Sequence, residues 1–117
     1  MRYLAAVVLI AALAGCGHTT TIRAGHAVEL ALTEYRITPQ DVRTPGGEVD
    51  LLVHNYGRLV HNLVLTSAGH QLAITKPIGP GQSTWLFVEL APGRYVMASN
   101  LFSDQDLGLY GTLIVTR

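Results

Sequence analysis

The sequence predicts an all-β protein, built as a sandwich or a barrel. Three observations support this class: short apolar segments with strand-like alternation, Pro and Gly residues between them, and no helical pattern of ten residues beyond the N-terminal segment. The chain has 117 residues and is 49% apolar, which lies far above the range of disordered chains. We therefore expect a single domain with a packed core.

Seven segments have the pattern of strands, and each is bounded by turn residues. In chain order they are 27–32, 34–38, 48–54, 60–66, 83–90, 94–99 and 109–116. The breaks between them contain the turn-forming sequences Thr44–Gly47, Asn55–Gly57, Gly79–Gly81 and Pro92–Gly93. About seven strands in 91 residues, with no linker or repeat, predict one domain over residues 27–117.

The N-terminal segment has the features of a signal peptide. Arg2 precedes an apolar run over residues 4–13, which is too short to span a bilayer as a helix. The residues that follow, Leu13 to Cys16, resemble the lipobox of bacterial lipoproteins. This resemblance implies a signal peptide at 1–15, lipid on Cys16 and a polar tether at 16–26. The alternatives are an ordinary signal peptide with an incidental cysteine, or an N-terminal anchor.

Composition narrows the choice of compartment and partner. Eight basic residues balance eight acidic ones, so the chain has no charge excess for binding nucleic acid. Cys16 is the only cysteine, so no disulfide can form, and lipidation would leave the domain without a thiol. We expect an extracytoplasmic location in a bacterial cell envelope, with the membrane contacted through lipid on Cys16 and with an unknown envelope protein as partner.

The order of motifs along the domain resembles the cupredoxins. The features that carry the resemblance are the alternating run Val49–Asn55, the segment His61–Leu65, the turns Pro80–Gly81 and Pro92–Tyr95, and the end of the chain from Gly108 to Val115. The resemblance covers about residues 27–117. It implies a two-sheet Greek-key β-sandwich whose functional site lies at one end, where loops meet.

In that family a type 1 copper centre takes two His, one Cys and an axial Met. By resemblance, the first His corresponds to His61, and the Cys position is occupied by Ser99. The second His position falls at Asp104 or Gln105, and the axial position at Leu109. A serine hydroxyl cannot replace the thiolate of a blue-copper site, and leucine offers no donor atom. We therefore expect no cofactor, with copper as the alternative, and electron transfer becomes the less favoured function.

His61 shares its strand parity with Leu63 and Leu65, which predicts an inward-facing imidazole. We expect it to be partly buried and hydrogen-bonded to a loop carbonyl or to Ser99. The alternative is a non-blue Cu²⁺ or Zn²⁺ site, formed by His61 with Asp104 and Asp106. A Ser–His–Asp hydrolase is disfavoured, because groups derived from one metal centre approach the same imidazole nitrogen.

An apolar loop follows the Cys-like position and contains Leu101, Phe102, Leu107 and Leu109. In the cupredoxins, apolar residues around the metal site contact redox partners. Here the loop is expected either to remain a docking surface or to collapse inward and fill the space that copper occupies in that family. The sequence therefore favours a non-enzymatic, membrane-anchored binding module, and the alternative function is copper binding or handling around His61.

Overall fold

The computed structural model describes residues 18–117, and in them the chain forms ten strands and one short helix. The strands are β1 Thr20–Thr21, β2 Val28–Thr33, β3 Arg36–Thr38, β4 Asp41–Pro45, β5 Gly47–Asn55, β6 Val64–Ser67, β7 His70–Ile74, β8 Ser83–Leu90, β9 Gly93–Ala98 and β10 Tyr110–Thr116. The helix, α1, covers Asp104–Leu107.

Two sheets face each other. The larger sheet has six strands in the order β1–β4–β10–β9–β6–β7, and the smaller has four in the order β3–β2–β5–β8. Strands β2 and β5 are parallel, as are β4 and β10, whereas β5 and β8 form an antiparallel pair of eight residues. The predicted all-β, two-sheet sandwich is confirmed.

The core lies between the inner faces of the two sheets. Alternate residues of each strand point inward, as the burial pattern of β5 shows: Val49, Leu51 and Val53 are buried, and their neighbours are half-buried or exposed. Leu65, Met97, Leu113 and Val115 oppose them from the larger sheet. Burial of these apolar side chains between the inner faces of the two sheets makes the main favourable contribution to the free energy of folding.

Several strand boundaries differ from the expectation. The segment 60–66 is not one strand: β6 begins at Val64, and His61 makes only an isolated bridge with Ile78. The reason is the Asn55 side chain, whose Nδ2 donates to the carbonyls of Leu59 and Ile78, both at 2.8 Å, and so holds the chain in an arch. Strands β1, β4 and β7 and helix α1 were not expected.

The N-terminal predictions fall largely on residues that the structure does not describe. The signal peptide at 1–15 and Cys16 lie outside the described residues. Thr20 and Thr21, expected in the tether, instead pair with Val42 and Arg43 of β4, and the Ile22 side chain packs against the core. In residues 18–117, no helix combines the length and apolar character needed to cross a membrane.

Candidate functional site

His61 lies at the end of the sandwich where the arch between β5 and β6 approaches the loop that contains α1. Its backbone is fixed to Ile78 by two hydrogen bonds, N–H to carbonyl oxygen, of 3.2 and 2.7 Å. Its side chain is completely buried. The inward orientation predicted from strand parity is therefore present, but the ring is fully rather than partly buried.

Each ring nitrogen of His61 faces a carboxylate. Nδ1 lies 2.7 Å from Oδ2 of Asp104, and Nε2 lies 2.6 Å from Oε2 of Glu34. Both distances are those of short hydrogen bonds to charged groups. We call these three residues the acid–histidine–acid network. The expected partners of His61, a loop carbonyl or Ser99, are replaced by two carboxylates that lie 27 residues before it and 43 residues after it.

Backbone amides of the arch fix the carboxylate of Glu34. The N–H of Arg58 donates to both carboxylate oxygens, at 2.8 and 3.1 Å, and the N–H of Leu59 donates to Oε2 at 3.1 Å. The hydrogen bond from Arg58 lowers the pKa of Glu34 below its ordinary value of 4.5. The contacts with His61 and Leu59 lower this pKa further, and desolvation opposes them. The carboxylate is therefore held in its ionised form.

Asp104 opens α1 and is only 4% exposed. Its Oδ2 accepts from Ser99 Oγ at 2.7 Å as well as facing His61. The Ser99 hydroxyl also accepts from the backbone N–H of Asn62 at 3.2 Å. The Asn62 side chain in turn joins Asn100 through Nδ2 to Oδ1 at 2.8 Å. The buried polar groups at this end therefore satisfy one another, as buried polar groups must.

The four positions that resemble copper ligands come together in space. The backbone N–H of Ser99 donates to the carbonyl of Leu109 at 3.1 Å, and that of Leu109 donates to the carbonyl of Asp104 at 2.9 Å. The Leu109 side chain is completely buried and belongs to the core. Of the two residues considered for the second His position, Asp104 reaches His61, whereas Gln105 is exposed.

This donor set does not fit a type 1 copper centre. Such a centre needs a thiolate and two imidazole nitrogens with free lone pairs. Ser99 offers a hydroxyl that is already hydrogen-bonded, Leu109 offers hydrocarbon, and both nitrogens of His61 are engaged by carboxylates. Within residues 18–117, no three His, Cys, Asp or Glu side chains are arranged so that they could hold a metal ion. Asp106, considered for a non-blue site, is exposed to solvent.

The geometry is also not that of a Ser–His–Asp triad. A triad places Ser and Asp on opposite nitrogens of the imidazole. Here Ser99 donates to Asp104 on the Nδ1 side of His61, and Glu34 occupies the Nε2 side. The Ser99 hydroxyl is therefore not aligned for deprotonation by the ring.

An apolar cleft of about 490 Å³ adjoins the network, and we call it the site-end cleft. Phe102 on its wall is 95% exposed, and Leu107 is 55% exposed. The loop is thus divided between the two expected outcomes: Phe102 and Leu107 form an exposed surface, and Leu109 has collapsed into the core. Leu109 is therefore not part of an exposed docking surface, and Leu101 is half-buried. The full lining is Tyr35, Leu59, Val60, Phe102, Ser103, Asp104 and Leu107.

Sequence reasoning did not identify Glu34 as a member of the site. It lies on the connection between β2 and β3, and only the fold brings it to His61. The one local signal is Gly57. A Cβ at this position would collide with the Glu34 carboxylate, so the arch needs glycine where the two segments meet.

The match to a known family covers most of the chain. The cupredoxin-like domain family matches residues 4–115. No curated protein matches the chain.

Solved structures of copper proteins have a similar fold. Dithionite-reduced auracyanin from the photosynthetic bacterium Roseiflexus castenholzii superposes with a TM-score of 0.69 at 21% identity, over 86% of this chain and 100% of that one. Reduced rusticyanin superposes with a TM-score of 0.68 at 17% identity, over 86% and 85%. The Cu-containing nitrite reductase from Thermus scotoductus gives a TM-score of 0.61 at 15% identity, over 83% of this chain and 28% of that one. These identities establish similarity of fold, and together with the family match they show that the chain belongs to the cupredoxin-like domain family.

Proposed function

We propose that this chain is a lipid-anchored envelope protein whose single cupredoxin-like domain serves as a non-catalytic binding module. The observation that supports this most directly is the engagement of both His61 nitrogens by Asp104 and Glu34. A doubly protonated ring has no lone pair for a metal. In a neutral ring the one lone pair would accept a proton from a carboxylic acid. In either case metal binding would first have to break a buried hydrogen bond.

The network gives this end of the domain a rigid base. It joins the β2–β3 connection, the arch after β5 and helix α1 through hydrogen bonds, and the one between His61 and Asp104 is buried. Because every group has its partner, the network specifies one arrangement of three loops. The site-end cleft lies on this base, so its apolar wall is held in place for a partner.

The apolar wall supports docking through side chains. Phe102 and Leu107 are exposed, as are Leu59 and Val60 of the arch. Apolar side chains that cluster around a cleft, with a polar rim, are typical of protein-binding sites. We propose that an envelope protein inserts an apolar side chain here, while lipid on Cys16 keeps the domain near the membrane.

A pair of experiments tests the proposal. A photo-crosslinking amino acid at Phe102, in cells, should capture a defined membrane-associated protein, and the Leu107→Ser substitution in the same chain should abolish the product. A matched crosslinker at His70, which lies on an exposed strand outside the cleft, serves as the control. Crosslinks that persist unchanged in Leu107→Ser, or that form equally from His70, would contradict docking at the cleft.

The lipid anchor is tested separately. Cys16→Ser should release the protein from the membrane fraction, because the acyl chains supply the binding free energy. Unchanged membrane association in Cys16→Ser would refute lipidation but would leave the docking proposal open to the crosslinking test.

A further inference from the structure

A second exposed surface lies on the outer face of the four-stranded sheet, away from the site-end cleft. Trp85 and Phe87 of β8 are 48% and 61% exposed. Their rings stack on each other, with centroids 5.5 Å apart and planes inclined by 7°. Trp is strongly enriched among residues that dominate protein interfaces. An aromatic pair that is ordered and yet exposed has the character of a docking surface.

Carboxylates surround this pair without cationic partners. Asp50 is directly opposite Phe87 in the β5–β8 ladder, and Glu48 is directly opposite Glu89. Two like charges facing each other across a ladder are destabilising. None of these three carboxylates has an ion-pair partner within residues 18–117.

Asp50 adds a second and independent observation. Its Oδ1 is buried without a hydrogen-bond partner, the one such side-chain atom in the described part of the chain. A buried acceptor without a donor costs about 1–3 kcal/mol. Arg23 lines the adjoining cleft with Asp50, but its guanidinium lies 3.5 Å from His26 and makes no ion pair with the carboxylate. The negative charge of this carboxylate, which lies opposite Phe87, is therefore not neutralised by an ion pair within the described residues.

The edge of the sheet is open at the same strand. Strand β8 is the last of its sheet and pairs only with β5. In residues 18–117, the backbone groups on its other side make no further backbone hydrogen bonds. An open edge of eight residues is long enough to accept an additional strand by main-chain pairing.

From these observations we propose that β8 binds an extended, basic segment of a partner protein, which adds to the sheet as a strand. Its alternate side chains would be arginine or lysine, and these would lie beside Trp85, Phe87 and Glu89 of β8. Glu48 and Asp50, one strand further away, would add to the negative potential. Cations stack favourably on aromatic faces, and Trp gives the strongest such contacts. A second copy of this chain does not suit the surface, because pairing it with itself would bring like carboxylates together.

The test uses Trp85 as an internal reporter, since it is the only Trp in the chain. The full chain, purified in detergent, is titrated with a short capped peptide that alternates Arg with Thr. We expect a saturable change in Trp85 fluorescence that weakens as salt rises. Hydrogen exchange should slow at the amides of β8 and not at those of β7. The same peptide with Glu in place of Arg should not bind, and a central Pro should weaken binding because it removes a donor.

Two variants identify the contacts. Phe87→Ala combined with Glu89→Gln should weaken peptide binding by about 30-fold, the effect of losing one interface hot spot. Both side chains are exposed, so the fold should persist. Val96→Ala, exposed on the other sheet of the sandwich, serves as a control that leaves binding unchanged.

Five results would overturn the proposal. Four of them are no fluorescence response, equal binding of the Glu peptide, protection that maps away from β8, and concentration-dependent dimers that bury Trp85. The fifth is binding of a neutral oligosaccharide in place of the Arg peptide, which would indicate a glycan-binding face. The comparison of the Arg and Glu peptides uses the chain without substitutions, so it tests the proposal even if a variant does not fold.

Discussion

The Nδ1 atom of His61 lies 2.7 Å from Oδ2 of Asp104, and both side chains are buried. This contact joins the arch after β5 to the first residue of α1. It occupies a nitrogen that a metal would need, and it fixes the loop on which Phe102 and Leu107 are exposed. The same hydrogen bond therefore supports both parts of the proposal: that His61 does not bind a metal, and that the docking surface is ordered.

Removing the Asp104 carboxylate should destabilise the domain strongly. Asp104→Ala leaves Nδ1 of His61 buried without its partner and removes the closest acceptor of the Ser99 hydroxyl. We expect a loss of about 3 kcal/mol in the free energy of unfolding. Asp106→Ala, in the same short helix but exposed, should change stability by less than about 0.5 kcal/mol. Urea denaturation of both variants provides the measurement. Equal midpoints for the two would show that the contact with His61 contributes nothing.

Glu34 should make stability depend on acid pH. Its pKa in the folded protein lies below the ordinary value of 4.5, so its contribution is fully present above that value and is lost as pH falls through the folded pKa. Glu34→Gln should therefore lower stability at neutral pH, and the difference from the natural chain should shrink below pH 4.5. Denaturation midpoints measured over this range test the prediction. A difference that stays constant as pH falls would contradict it.

Gly57 should be required for the Glu34 contact. In Gly57→Ala the new methyl group collides with the Glu34 carboxylate, and we expect a loss of about 1–3 kcal/mol. Because the collision involves the end of that side chain, the same substitution should cost less in a Glu34→Ala background, which removes those atoms. A double-mutant cycle measures this coupling. Strictly additive effects would place the strain elsewhere in the arch.

The assignment of the four ligand-like positions predicts a gain of function. The triple variant Ser99→Cys, Asp104→His and Leu109→Met restores the thiolate, the second imidazole and the axial thioether of a type 1 centre. Asp104→His also removes the carboxylate at Nδ1 of His61, while Glu34 remains to orient the ring through Nε2. With Cu²⁺ this variant should show an intense visible absorption band.

Its control carries Ala in place of Cys at position 99 and should show no such band, because the band depends on the copper–thiolate bond. A folded triple variant that binds Cu²⁺ without the band would mean that these residues do not occupy the ligand positions.

The sequence predicted the fold through patterns that are local. Alternation in β5 and β8 and the Gly and Pro turns between strands were sufficient for an all-β sandwich. Strand β4 was not predicted because Thr44 and Pro45 resemble the start of a turn, and its pairing with β10 depends on residues about 70 positions away. Strand β7 alternates poorly, with His70, Gln71 and Leu72 all exposed, so its sequence has no period to detect.

The site was predictable only in part, for a similar reason. Resemblance pointed to His61, Ser99, Asp104 and Leu109 through motif order, and in the structure hydrogen bonds join these four residues. Glu34 has no motif, and its role arises from the turn before β3 and from the amides of Arg58 and Leu59. The contact of Glu34 with the arch depends on how closely two loops approach each other, and the periodicity of the sequence carries no information about that distance.

The most direct test of the central claim is metal analysis, with a visible spectrum, of the protein purified from its native source and then supplied with Cu²⁺. The claim is that His61 and its carboxylate partners form a base for binding rather than a copper centre. It predicts substoichiometric copper, no intense visible band and no tight site that depends on His61. One equivalent of copper with an intense band, lost in His61→Ala but kept in His54→Ala, would contradict the claim and restore electron transfer as the function.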